Sequence, residues 1–309
     1  MFFAVNPWAP DVIPACVDAV ASSAMSEVCH PLILIDGAFD ENFFDMPHWR
    51  RSTRHALYDS TALAALGKVG LWLMALEGGS ETVAECLTAV HSQANGKPMW
   101  SLLISAVPGP VLAQHLRPYL LARTTDGLDW PVRWGDTRVL PNLLAALTDL
   151  ERTQLMAPLR AWLHLDRHGQ LQSSSGLGQT EELLPLWRIW ALDEARFHAL
   201  ADAGEADHIL SRIDDVRPDL LRHDTPARLH QQVLACLEQA DRGALDAAPD
   251  RQALVMLGLT LVPDFFRHPD FQKLLQRTRI GHGYADELNA LPDEFWESCA
   301  RPDKSVATD

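Results

Sequence analysis

Three short apolar runs punctuate the first part of the chain, each closed by a turn signal. Leu32-Ile33-Leu34-Ile35 ends at Asp36-Gly37, Leu71-Trp72-Leu73-Met74-Ala75-Leu76 at Glu77-Gly78-Gly79, and Trp100-Ser101-Leu102-Leu103-Ile104 at Ser105. Unbroken apolarity of this length predicts buried strands. Around them, helical spacing predicts helices over 54–66, 80–91 and 110–121. Ser80 is placed to cap the second, with Val83, Cys86, Leu87 and Val90 on one face. Strand and helix in alternation imply crossover connections, and so an α/β lobe with a mostly parallel sheet. A further strand is expected at 130–134, hairpinned to 120–124 through Asp126-Gly127.

An extended run then breaks at a charged elbow, Arg133-Trp134-Gly135-Asp136-Thr137-Arg138. An apolar helical stripe follows at Val139, Leu140, Leu143, Leu144 and Leu147. Proline is tolerated in the first turn of a helix and disruptive beyond it, so Pro141 favours an irregular turn from Asp136 and a helix from about Leu140. The stretch Gln172-Ser173-Ser174-Ser175-Gly176-Leu177-Gly178 reads as a linker. Beyond it the pattern is helical, with segments at 193–201 and 205–216 and others opened by Pro226, Pro249 and Pro269. The expected organisation is an α/β lobe over 1–171, a linker over 172–179 and an all-α lobe over 180–309, its tail from 302 disordered.

Charge narrows the partners. The 309 residues carry a formal net charge of −15, which opposes sequence-independent binding to nucleic acid. Residues 1–170 hold 12 basic and 17 acidic side chains, and residues 171–309 hold 14 and 24. The acid is therefore concentrated in the second half, as a solubilising surface or as a field that steers a basic partner. Five cysteines without a C-x-x-C pair read as reduced thiols. The start, Met1-Phe2-Phe3-Ala4-Val5, lacks a basic signal region, and no apolar run reaches the roughly 18–20 residues that span a bilayer. The expectation is a cytoplasmic protein without a membrane anchor.

The chemical candidates are sparse, and no nucleophile elbow, zinc-protease helix or phosphate-binding P-loop is present. Glu77-Gly78-Gly79-Ser80 is a strand-to-helix turn where a phosphate could meet a helix N-terminus, but the full glycine motif is absent and Glu77 would repel it, so it reads as a capped tight turn. His164, Asp166 and His168 would share one face of a strand, either as metal ligands or as a solvated face. Gly281-His282-Gly283-Tyr284 reads as a helix stop rather than a loop carrying a base. No catalytic, cofactor or metal site is assigned. In the elbow, Arg133 and Arg138 could pair with Asp136 and fix how the sheet meets the next helix, or could touch a partner. Of ten tryptophans, Trp8, Trp49 and Trp296 are candidate interface anchors if exposed.

The elbow is also where the chain resembles a known family, the effector adaptors (chaperones) of bacterial type VI secretion, whose shared domain was long catalogued as one of unknown function. That family carries Arg-aromatic-aromatic-Asp-Pro-Arg-Val-Leu. Arg133, Trp134, Asp136, Arg138, Val139 and Leu140 match it, while Gly135 and Thr137 depart. Its opening strand resembles Leu32-Ile33-Leu34-Ile35-Asp36-Gly37-Ala38. In the family's order follow Leu57-Tyr58-Asp59, Gly70-Leu71-Trp72-Leu73-Met74, Leu103-Ile104-Ser105, His115-Leu116-Arg117, and Pro158 with Trp162. Looser similarity continues at Leu192-Asp193-Glu194-Ala195-Arg196-Phe197, Ala240-Asp241-Arg242-Gly243 and Phe266-Arg267-His268-Pro269. The resemblance implies a two-lobed, non-enzymatic adaptor that binds a cognate toxic effector and loads it onto a VgrG spike or a PAAR-containing protein. The residues alone leave open an enzyme on an α/β scaffold, using the Gly78-Gly79 turn or His164 and His168, and a structural baseplate subunit.

Overall fold

The computed structural model describes residues 2–26, 28–181 and 189–301. The disordered tail expected from residue 302 lies outside them. The chain divides into two compact units, Val5–Ala203 and Met1–Ala4 with Gly204–Asp309.

In order, the first unit contains helix α1 (Val12–Ser26) and strands β1 (His30–Asp36), β2 (Arg54–Ala56) and β3 (Leu71–Ala75). Helix α2 (Ser80–Ala94), strand β4 (Trp100–Ser105) and helix α3 (Gly109–Leu116) come next. Strands β5 (Leu121–Thr124) and β6 (Asp129–Pro131) precede helices α4 (Leu140–Ala146) and α5 (Asp149–Met156). Strands β7 (Leu159–Leu165), β8 (Leu171–Ser175) and β9 (Trp190–Leu192) complete the set. Six of the strands form one sheet in the order β2-β3-β1-β4-β7-β8, and β6-β5-β9 form a small second sheet.

The main sheet is antiparallel at every pairing, not mostly parallel as the alternation of elements suggested. The reason lies in strand order. Strands β3 and β4, joined through α2, do run in the same direction, as a helical crossover requires. But β1 lies between them and pairs with both in the opposite sense. Parallel pairing is confined, among the described strands, to β5 with β9 in the small sheet.

The predicted strand burial is present and extends to both faces of the sheet. Leu32 and Leu34 of β1 face a core with Leu71, Leu73, Leu103 and Trp162, closed by apolar residues of α3, α4 and α5. Ile33 and Ile35 face the opposite core, with Met74, Leu102 and Ile104 under Cys16 of α1 and Val83, Leu87 and Val90 of α2. Period-two alternation thus sends neighbouring aliphatics into two different cores, which is why the strand reads as one continuous apolar run.

Other expectations change in detail. No helix spans 54–66. Arg54–Ala56 instead pairs with β3 as an edge strand, the Leu57 amide donates to the Leu71 carbonyl at 2.9 Å, and Ser60 takes a left-handed conformation (φ 62°) that breaks any helix. Ser80 is the first residue of α2 and not its cap; Gly79 holds the cap position. The expected linker at 172–179 begins inside β8, which pairs with β7 from Leu165↔Leu171 to Ala161↔Ser175. A serine-rich edge strand with solvent on one side carries the same composition as a linker. The hairpin through Asp126-Gly127 forms, with Gly127 at φ 84°, but its second strand, expected over 130–134, is Asp129–Pro131.

The two helical segments expected at 193–201 and 205–216 are one helix, α6 (Glu194–Val216), because Gly204 lies within it without interrupting it. Helices α7 (Pro226–Arg242), α8 (Ala248–Thr260), α9 (Pro269–Arg279), α10 (Tyr284–Asn289) and α11 (Asp293–Cys299) follow. Proline occupies the first turn of α7, α8 and α9, where its missing amide is harmless. Leu229, Val233, Cys236, Leu237 and Ala240 of α7 join the core of the second unit, with Leu254, Phe271, Leu274 and Leu275. The acidic character of this half is tied inward at Arg251, which holds Glu205 at 2.6 and 2.7 Å and Asp241 at 2.6 Å. No helix among the described residues is long and apolar enough to cross a membrane.

Helices α7 and α8 meet closely at Gly258, where a methyl group would fall 2.2 Å from Cys236 Sγ. Gly258→Ala is therefore expected to lower stability in urea by about 1–3 kcal/mol, the usual range for overpacking. Adding Cys236→Ala, which removes the clashing sulfur, should recover most of the loss; failure to do so would show that the two positions are not in contact.

Candidate functional site

The elbow and the end of β1, distant in sequence, form one buried polar cluster. Asp36 closes β1 with both carboxylate oxygens engaged. Oδ1 accepts the Ala38 amide at 3.0 Å, capping the short turn Gly37–Phe39. Oδ2 accepts the Arg133 Nε–H at 2.9 Å. Three residues beyond Arg133, Asp136 accepts Arg138 Nε–H at 3.0 Å and Nη2–H at 2.8 Å, together with the Arg138 backbone amide at 3.1 Å. Arg133 also lies 3.9 Å from Asp136. Both carboxylates are 2% exposed. Charges this deeply buried persist only when paired and hydrogen-bonded, as these are.

Phe39 completes the cluster. Its ring receives the Arg133 guanidinium at 4.7 Å and that of Arg138 at 5.5 Å, so cation–π attraction adds to the ion pairs. Trp134 anchors the elbow from the other side. It is buried, donates its indole N–H to the Tyr119 carbonyl at 2.7 Å, and lies 6.1 and 6.3 Å from the rings of Trp162 and Trp190. The backbone is equally committed, with the Thr137 amide bonded to the Pro98 carbonyl at 3.0 Å and that of Asp36 to Met99 at 2.8 Å.

Two glycines make the approach possible. A side chain at Gly135 would begin 2.8 Å from Asp36 Cβ and 3.0 Å from Leu71 Cδ2, so the second aromatic of the family's elbow has no room at this position. A side chain at Gly37 would begin 2.1 Å from the Lys68 carbonyl oxygen. The Gly37 amide instead donates to Gly70 at 2.9 Å, and the Tyr58 ring packs against Gly70. Sequence reasoning picked out Asp36, Gly37 and the elbow separately. It missed Phe39 as the ring shared by both arginines, although its place three residues after Asp36 carried the signal.

Electrostatics follow from this burial. Desolvation raises the Asp36 pKa above the ordinary aspartate value, and the neighbouring Arg133 guanidinium partly offsets the rise. The Tyr58 phenol is pushed up to about 12, first by burial and then by the Asp36 carboxylate. The accessible edge of the cluster is Arg133, whose side chain is 40% exposed, against 15% for Arg138. The geometry is that of a clamp between β1 and the β6–α4 connection, with one arginine edge facing solvent.

The other candidates do not assemble. His164 is buried on β7, where desolvation lowers its pKa. β7 ends at Leu165, and Asp166 turns to organise the following loop. Its carboxylate accepts from the His168 and Gln170 amides and the Gln172 side chain, each at 2.9 Å. The three residues therefore do not share a strand face, and among the described residues no group of three metal-ligating side chains comes together. Gly78 (φ 106°) serves a tight turn into α2, bordering a recess of about 430 Å³ that Glu77 and His55 also line. Gly281 (φ 99°) follows the end of α9, where the Gly281 amide donates to the Thr278 carbonyl at 2.9 Å and the His282 amide to that of Arg277 at 3.1 Å, closing the helix. Among the proposed anchors, Trp49 is buried, stacked on Phe43 and bonded to Gln93, which removes it as a free interface residue. Trp8 packs between His91 and Trp100, and Trp296 lies against Phe295, both half-buried. Trp130, which was not singled out, is 46% exposed.

Two outcomes test the cluster. Asp136→Ala leaves the Arg138 guanidinium without its main partner and is expected to destabilise the protein by roughly 3 kcal/mol in urea unfolding. Carboxyl NMR should find Asp36 titrating above the ordinary aspartate range, and Arg133→Ala should move that midpoint higher still. Because the folded-state pKa is raised, the folded protein holds this proton longer than the unfolded chain. The contribution of Asp36 to stability accordingly falls as pH rises from the unfolded to the folded pKa.

Comparison with known proteins places this cluster inside a defined segment. No curated protein and no solved structure matches the chain. Residues 33–154, which contain Asp36, Phe39, Tyr58 and the whole elbow, match the model of a family described as Domain of unknown function (DUF4123).

Proposed function

We propose that the protein is a non-enzymatic adaptor of bacterial type VI secretion. It binds a cognate toxic effector in the cytoplasm, stabilises it, and delivers it to a VgrG spike or a PAAR-containing protein. The observation that carries this reading is the convergence of the resemblance motifs. Asp36-Gly37, Leu57-Tyr58-Asp59, Gly70 and the elbow are spread over about a hundred residues, yet they meet at one end of the main sheet through the Asp36–Arg133 pair, the Gly37–Gly70 hydrogen bond and the Tyr58–Gly70 packing. Motifs of a scaffold behave this way. Their residues are occupied with one another, and an effector would be recognised on surfaces this clamp holds in place. The matched segment, 33–154, covers the same motifs.

An affinity pull-down from native cells with mass spectrometry tests the proposal, comparing strains with active and inactive type VI secretion. One dominant large effector, with VgrG recovered through it, is the expected result. Arg133→Ala should reduce effector recovery in step with its loss of melting temperature. Recovery of neither protein, with bound nucleotide or stoichiometric zinc in the purified chain, would overturn the proposal in favour of an enzyme. Co-sedimentation with assembled baseplates and no effector would favour a structural subunit.

A further inference from the structure

The small sheet carries a feature that the clamp does not use. At the β5–β6 hairpin, Leu128 is 54% and Trp130 46% exposed, whereas Trp49, Trp100, Trp134, Trp162 and Trp190 are each 4% exposed or less. Trp130 does not stand alone. Its ring lies 5.7 Å from that of Phe197 on α6, inclined by 46°, and the His198 ring follows at 6.0 Å from Phe197. These rings, with Thr124, Asp126 and Glu194, line an open recess of about 290 Å³. All of it lies within the unit Val5–Ala203.

The charge around the rings is one-sided. The arginines next in sequence to the lining residues Thr124 and Phe197 are already paired. Arg123 is held by Asp129 at 2.6 and 2.8 Å, and Arg196 by Asp193 at 2.8 Å and Glu151 at 3.1 Å. Asp126 and Glu194 remain on the wall. Asp126 is fixed by the Thr124 hydroxyl at 2.6 Å, which holds its carboxylate below the ordinary aspartate range. Glu194 is 81% exposed and has the His198 ring at 3.7 Å. Aromatic faces with carboxylates at the rim are complementary to a cation that carries an apolar stem, since the ring quadrupole attracts the charge and the rings cover the methylenes.

We infer that this recess binds an arginine or lysine side chain of a partner polypeptide, with Trp130 and Phe197 against its stem and head and Asp126 and Glu194 pairing with its charge. Leu128 extends the contact to an apolar neighbour on the same segment. The site stands on its own geometry and goes beyond the adaptor reading, which would survive or fail separately.

Full-length protein labelled with 5-fluorotryptophan provides the test, the Trp130 resonance being assigned through Trp130→Phe. The probes are acetyl-arginyl-leucine amide and its uncharged isostere, acetyl-citrullyl-leucine amide, each titrated into the millimolar range. The arginine probe should shift the Trp130 resonance saturably, with the citrulline probe at least about tenfold weaker. Glu194→Gln and Asp126→Asn, both at exposed positions outside the core, should each weaken the arginine probe several-fold while the other tryptophan resonances keep their positions. No saturable shift at Trp130, or equal affinity for the two probes, overturns the inference; the second outcome would leave a plain apolar patch.

Discussion

A carboxylate that is 2% exposed at the end of an aliphatic strand is tolerable only because an arginine reaches it from 97 residues away. That single pairing joins the first strand of the sheet to the elbow that launches α4. Remove the guanidinium and Asp36 faces a low-dielectric surround with one backbone donor; remove the carboxylate and Arg133 loses the contact that orients it over Phe39. The second pair, Asp136 with Arg138, is local in sequence but shares the same aromatic ring. The cluster is thus two carboxylates and two guanidiniums around one phenyl face, and its energetics are collective. Much of the packing at this end of the sheet presupposes it, including the close passage of Gly135 beside Asp36 and of Gly37 beside the 68–70 backbone.

Strands β1, β3 and β4 were legible because their residues are mostly buried, and a run such as Leu32–Ile35 reads as a strand at that length. Their pairing was not. Alternation of strand and helix reports the direction of β3 relative to β4 correctly, but it is blind to a third strand inserted between them. Only contacts distant in sequence, Leu34 with Leu73 and Leu34 with Ser101, decide that β1 occupies that place. The segment 54–66 failed for a related reason. Its helical spacing was real, but pairing with β3 and a left-handed Ser60 outweighed a weak local preference. The serine-rich 172–179 stretch shows the converse, because an edge strand needs few apolar residues and its composition does not separate it from a linker.

The candidate site was legible in its members and not in its assembly. Arg133, Asp136 and Arg138 lie close enough in sequence for pairing to be anticipated, and the Asp136–Arg138 pair does form. That Arg133 would turn away from its neighbour at 3.9 Å toward Asp36 at 2.9 Å follows from topology, which brings the C-terminal end of β1 beside the elbow. His164, Asp166 and His168 were separated by the opposite effect. Regular strand periodicity would have aligned them, but the strand stops one residue after His164 and Asp166 becomes the acceptor of a turn.

The elbow residues are spent on each other, so under the proposed function recognition falls to other surfaces. Buried ion pairs specify geometry more than they supply net stability, and here the geometry they specify is the path from the β5–β6 hairpin through the elbow into α4. The hairpin carries Trp130 three residues before Arg133, so the clamp that fixes the elbow also limits where that exposed ring can lie. Burial explains why sequence reasoning looked to other tryptophans, for Trp49 has a hydrogen-bond partner and a stacking partner that no local pattern announces. Trp130 has instead an edge strand of three residues, ending at Pro131, and half of its surface in water. Trp130 is backed by the Phe197 ring and left half in water, so a partner could meet it without unpacking the core. On this argument the elbow and the exposed ring are parts of one arrangement, the first positioning and the second available for contact.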